Sequence, residues 1–180
     1  MRRRDIYLAL YDATVVTAKR EDFRIIHLSI QRDHLHLIVE AHDKAALSAG
    51  MQGFSISAAK RINKAITART GERHTGKVVE DRFHARPLTS PRAVRNALAY
   101  VLCNWRHHGE DLAGFARRWS VDPFSSGAVF TGWKELERSP VLWSLPATYY
   151  PLLVWRPRTL LLQNWDKFYP LISVREVPGM

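Results

Sequence analysis

The sequence predicts an α+β fold, and three stretches carry that prediction. FRIIHLSIQ (23–31) and HLHLIVEA (34–41) are rich in β-branched and apolar residues and are separated only by Arg32-Asp33, the pattern of an antiparallel hairpin. Residues 46–70 carry Leu47, Met51, Phe54, Ala58, Ile62 and Ile66, which step by three or four and form one apolar helical stripe. Residues 90–108 open on Ser90-Pro91, a good N-cap followed by a residue suited to the first helical turn, and run into Gly109.

The remaining elements follow in chain order. Residues 2–20 read as a helix, with Ile6, Leu10 and Val15 or Val16 at roughly helical spacing. His42 to Ala45 is a polar loop, and Gly71 is the expected stop of the second helix. GERHTG reads as a loop and KVVEDRFHARPL (77–88) as a third strand. In the helix over 90–108, Val94, Leu98, Val101 or Leu102, and Trp105 form the apolar stripe, while Arg106, His107 and His108 place cations at the negative end of the helix dipole. Asn96, Tyr100 and Asn104 are expected on the opposite, polar stripe. After residue 110 the texture changes. Prolines and glycines recur, tryptophans concentrate, and TLLLQNW and LISVREV read as two short strands. This divides the chain into a domain over 1–110 and a Trp/Pro-rich C-terminal extension over 111–180, which is expected to cover a sheet edge.

The charge narrows the function. Lys and Arg outnumber Asp and Glu by 27 to 17, a formal net charge of +10, and such an excess attracts phosphate backbones. No apolar run approaches the roughly 20 residues needed to span a bilayer, so no membrane partner is expected. The basic start is interrupted by Asp5 and Asp12, unlike a signal peptide. One cysteine, Cys103, cannot form an internal disulfide. The chain therefore reads as cytoplasmic. The same single cysteine argues against a structural zinc site, which usually takes four Cys or His ligands.

His34 and His36 are the candidate metal ligands. On a strand they share one face, with Cα atoms about 6.5–7 Å apart, while Leu35, Leu37 and Val39 face the other way. Neutral imidazoles suit several divalent cations. Tyr100 and Asn104, one turn apart on the helix, add a nucleophile and a third donor if that helix packs beside the histidine strand.

DHLHLIVEA (33–41) resembles the histidine–hydrophobic–histidine (HUH) motif of single-tyrosine transposases, and AYVLCNWRHHG (99–109) resembles their tyrosine helix, in which a Gln or Asn metal ligand follows the tyrosine by four residues. GMQGFSISAAKRINKAI, GKVVEDRFHARPLTSPRAVRNALAYVL and the tail segment DPFSSGAVFTGW are similar to the REP-associated tyrosine transposase (RAYT) group. The resemblance implies a ferredoxin-like antiparallel sheet with helices on one face. It also implies a strand before the first helix, and because this chain starts at the helix that first strand is expected to be missing. The implied chemistry assigns Tyr100 as the nucleophile that forms a 5′-phosphotyrosine link. His34, His36 and Asn104 hold Mg²⁺ or Mn²⁺, and His107, His108, water or a metal-bound hydroxide are the candidate proton acceptors. The implied partner is single-stranded or hairpin DNA, bound by a monomer or homodimer. Lys60, Arg61, Lys64, Arg82, Arg86, Arg92 and Arg95 are the candidate DNA-binding cations. Two functions follow: a transposase-type endonuclease and strand transferase, or a catalytically decayed or domesticated protein that recognises repetitive hairpins.

Overall fold

The computed structural model describes residues 1–78, 83–114, 116–138 and 149–179. Among the described residues are four α-helices and two strands: α1 (Arg4–Thr17), β1 (Phe23–Ile30), β2 (Leu35–Ala41), α2 (Lys44–Thr70), α3 (Pro91–His107) and α4 (Leu160–Asn164), with short 3₁₀ turns in the C-terminal extension. β1 and β2 pair antiparallel. The α+β class and the antiparallel sheet are those the sequence predicts. The punctuation holds too. Ser90 caps α3 by accepting from the Ala93 N–H at 3.2 Å, and Gly71 ends α2 at φ 77°, a left-handed conformation that glycine adopts without a Cβ penalty. Asp43 caps the start of α2, accepting from the Ala46 N–H at 2.7 Å.

A bulge in β1 sets which side chains face which layer. Ile25 pairs with Val39 and His27 with Ile38, so Ile26 is the extra residue. Without it, strict alternation from Phe23 and Ile25 would turn Leu28 and Ile30 to the opposite face. With it, Phe23, Ile25, Leu28 and Ile30 join Leu35, Leu37 and Val39 on one face, packed with Tyr7 and Leu10 of α1 and Met51, Phe54, Ala58 and Ile62 of α2. α1 and α2 form the helical layer on that face. The other face carries His27, Ser29, His36 and Ile38, and it is not left open. α3 covers it through Val94, Leu98, Val101 and Leu102, together with Phe130, Trp133, Leu162 and Trp165 of the extension. Burial on both sides explains why every residue of β1 is buried.

The extension also lies along the free edge of β1. The Ile30 N–H donates to the Phe124 carbonyl and the Trp155 N–H to the Ile25 carbonyl, each at 2.8 Å. Ser126 Oγ accepts from the Leu28 N–H at 3.1 Å. A strand edge is thereby covered rather than presented to other chains. Asp122 anchors this segment: it is fully buried and takes two bonds from the Arg2 guanidinium, at 2.7 and 2.8 Å. The pair is bidentate and shielded, the geometry in which an Arg–carboxylate bond is strong.

Two predicted strands are corrected, and a third falls partly outside the described residues. TLLLQNW forms α4 and a 3₁₀ turn, because a short apolar run carries no period and leucine and glutamine favour helix over strand. LISVREV contributes one isolated bridge, Ile172 to Trp133, and its backbone serves α3 instead: the Val174 carbonyl accepts from Arg106 Nε at 2.6 Å. Within 77–88 the described residues form no strand, and Val79 to Arg82 lie outside the described residues.

Candidate active site

The site forms where β2 meets α3. His36 stands opposite Ser29 in the ladder, on the α3 side of the sheet. Its ring meets the Tyr100 ring edge-on, with centroids 4.8 Å apart. His34 lies two residues earlier on the same face, and the two Nε2 atoms are 2.9 Å apart. Asp33 Oδ1 takes the other ring nitrogen of His34, Nδ1, at 2.6 Å. The β1–β2 turn is tied to the end of α3 by an ion pair between Arg32 and Glu110, and Glu110 also lies 3.8 Å from Arg2. These contacts hold the histidine strand against the tyrosine helix.

The three kinds of side chain differ in exposure, and the difference matters chemically. Tyr100 is 41% exposed, so its hydroxyl is open to a substrate. His36 is half-buried, and its pKa falls to about 4 through burial first and the neighbouring His34 and His108 second. It is therefore neutral, the ligating form, at physiological pH. Asn104 is fully buried, and neither its amide oxygen nor its amide nitrogen has a hydrogen-bond partner. The stripe of Asn96, Tyr100 and Asn104 is thus not one solvated face. Ser173 to Glu176 run along one side of α3 and bond to its Cys103, Arg106 and Arg95.

The two Nε2 atoms stand 2.9 Å apart, a hydrogen-bond distance at which one ring lends the proton to the other; two ligands at right angles on an octahedral ion, each about 2.05 Å from it, would stand a similar distance apart. Among the described residues no three His, Cys, Asp or Glu side chains gather as metal ligands, so the pair needs a third donor of another type. α3 runs past His36 over two turns, with Tyr100 touching its ring and His108 close enough to lower its pKa. Asn104 lies midway between them on the same helical face. A buried carboxamide with no partner normally costs about 1–3 kcal/mol, and a ligand role would account for one being kept here.

The candidate DNA-binding cations are scattered. Arg86 and Arg92 are exposed, Arg92 in the first turn of α3. Arg95 forms an ion pair with Glu176, part-buried, with Nη2 to Oε2 at 2.6 Å. Arg61 donates to Ser57 Oγ at 2.8 Å, and Lys60 and Lys64 are exposed on α2. α2 packs on the sheet face opposite Tyr100, so these three are not gathered around the phenol. Arg82 lies outside the described residues. Sequence reading missed Asp33, which reads only as a turn residue. Its one available signal was position, a carboxylate immediately before the first histidine.

The family model described as "Transposase IS200 like" matches residues 2–101, which takes in both histidines and Tyr100 and ends just short of Asn104. The chain belongs to the IS200-like transposase family, a family of DNA-processing enzymes. No curated protein and no solved structure matches it. Among the described residues no helix is long and apolar enough to cross a membrane.

Proposed function

We propose that this protein is a metal-dependent, single-tyrosine endonuclease and strand transferase of the REP-associated group, acting on single-stranded or hairpin DNA. The observation that carries the proposal is the packing of the exposed Tyr100 against His36, whose Nε2 pairs with that of His34, on a helix that carries an unpartnered buried amide one turn further on. His34, His36 and Asn104 would hold Mg²⁺ or Mn²⁺. The cation, when bound, supplies positive charge at a phosphate oxygen and favours the phenolate. Tyr100 Oη attacks phosphorus; its O–P bond forms as the bond from phosphorus to the 3′-oxygen breaks. The phenol gives up its proton, and the departing 3′-oxygen takes one up. The diester count is conserved in the phosphotyrosine, so a 3′-hydroxyl can reverse the step and join strands without an external energy source. Arg86 and Arg92 are available for phosphate contacts, which position a strand without reading its bases.

The test is covalent. Labelled hairpin DNA with a single-stranded flank is incubated with the protein and Mn²⁺, and the products are separated under denaturing conditions. A labelled protein band is expected, lost by more than about 10³-fold in Tyr100→Phe, a change at an exposed position that should leave stability within about 0.5 kcal/mol. DNA retardation without any such band, unaltered by Tyr100→Phe, identifies a binder without nuclease chemistry.

A further inference from the structure

The carboxylate before the histidine pair has a role the reaction does not assign. We infer that Asp33 is a positioning residue: by accepting a hydrogen bond from His34 Nδ1 it fixes the tautomer and the ring angle that turn the Nε2 lone pair of His34 toward His36. The inference rests on the metal-centre reading above and adds to it how that centre is prepared before any ion arrives.

Two distances carry it. Asp33 Oδ1 stands 2.6 Å from His34 Nδ1, and His34 Nε2 stands 2.9 Å from His36 Nε2. A carboxylate only accepts, so the proton lies on Nδ1 of His34 whatever the charge of the ring. In the neutral imidazole this leaves Nε2 as the lone-pair nitrogen, and that nitrogen is the one facing the partner histidine. The ring angle is set at the same time. The two imidazoles are nearly perpendicular, 80° between planes with centroids 4.5 Å apart. His36 is braced independently, by its strand position opposite Ser29 and by the edge of Tyr100. His34 is held less firmly. Its side chain is 48% exposed, and it precedes the first residue of β2. Without Asp33 its contact with the His36 ring would be left to fix its tautomer and angle. Carboxylate partners of ligating histidines typically change metal affinity by about 10–100-fold. The exposure of Asp33, 85% at the side chain, puts the expected effect near tenfold.

Asp33→Ala and Asp33→Asn distinguish positioning from bulk charge. The asparagine carbonyl oxygen can still accept from Nδ1–H, but it lacks the negative charge. Two readouts are used. The ¹⁵N shifts of the His34 ring in the metal-free protein, at a pH where it is neutral, report the tautomer, and Mn²⁺ titration followed by electron paramagnetic resonance reports affinity. The expected result is an Nδ1–H tautomer in the parent protein, a tautomer mixture with about tenfold weaker Mn²⁺ binding in Asp33→Ala, and recovery of most of both in Asp33→Asn. Predominant Nε2–H in the parent, or an unchanged tautomer in Asp33→Ala, overturns the inference. Equal loss of Mn²⁺ binding in the two variants shows a charge effect and overturns it too. A parent protein that binds no Mn²⁺ but shows the Asp33-dependent tautomer sinks the metal-centre reading while leaving the role of Asp33 at the ring intact.

Discussion

The two faces of the sheet are built from the same two strands and differ in kind. The α1/α2 face is apolar; Thr14 and Thr17 bond to carbonyls of their own helix, and the Tyr7 hydroxyl donates to the Tyr150 carbonyl. The α3 face buries His27, Ser29 and Asn104 and carries the half-buried His36. Close packing stabilises the first. The second holds groups whose desolvation opposes folding unless each is matched. The lesson is that one face is built for stability and the other carries, at a cost to stability, the groups proposed for the chemistry. Perturbations should therefore separate by face.

The largest effect on stability is expected from pH, and it arises on the polar face. His27 is fully buried, with Nδ1 3.0 Å from Ser126 Oγ and its ring edge-on to Phe130. Ser126 Oγ accepts from the Leu28 N–H, and with a proton and a second lone pair left it pairs with the neutral His27 ring in either tautomer. Burial drops the His27 pKa from 6.5 to about 4. The unfolded chain then binds more protons than the folded one between those values. Stability from this group is complete above pH 6.5 and is lost as pH falls toward 4, on the order of 3 kcal/mol in all. Urea unfolding at several pH values should show this slope, and His27→Gln, which keeps an acceptor for Ser126, should flatten it. A parallel pair of curves would mean that His27 charges in the folded state without penalty.

The apolar face should fail by a different route. Gly50 of α2 lies against Phe23, and a Cβ placed there would stand 2.1 Å from the ring. Phe23 is fully buried and has nowhere to move. Gly50→Ala gains about 1 kcal/mol of helix propensity and loses more through overpacking, for a net destabilisation of about 2 kcal/mol. The covalent assay at a temperature where the variant is folded should show near-parent activity, since the clash lies on the face away from Tyr100. A selective loss of adduct in a folded Gly50→Ala protein would break the division between the faces.

This division also explains what could be read from the sequence. The elements of the apolar face each announce themselves by period: Met51, Phe54, Ala58 and Ile62 in α2, and Leu35, Leu37 and Val39 in β2. The bulge at Ile26 was hidden, because an inserted residue looks like continued β-rich sequence. Ser90 and Gly109 bounded α3 correctly. The polar face was less legible. His34 and His36 sharing a face followed from strand geometry, but the approach of Tyr100, 64 positions later, came only through family resemblance. The depth of Asn104 was not readable, since an asparagine one turn from an exposed tyrosine reads as surface from spacing alone, yet it is fully buried.

The smallest predicted effect discriminates best. Asn104 is the one place where the polar face keeps, among the described residues, an amide with both atoms buried and unmatched. Asn104→Leu replaces it with an apolar group of similar size among Val101, Leu102 and Trp105. If the amide is there for packing, the change should be neutral or harmful. If it is there to meet a cation, removing it relieves a desolvation cost of about 1–3 kcal/mol, so the metal-free protein should gain about 1 kcal/mol and the thermal midpoint should rise by a few degrees. Mn²⁺ is expected to raise the midpoint of the parent, because an ion that binds only the folded state stabilises it by mass action, and to leave that of the variant unmoved. A variant that is both more stable and blind to the ion is the signature of a residue kept for function against stability. A variant that loses stability would instead show that the amide finds a partner in solution, and the third ligand would have to be sought elsewhere on α3.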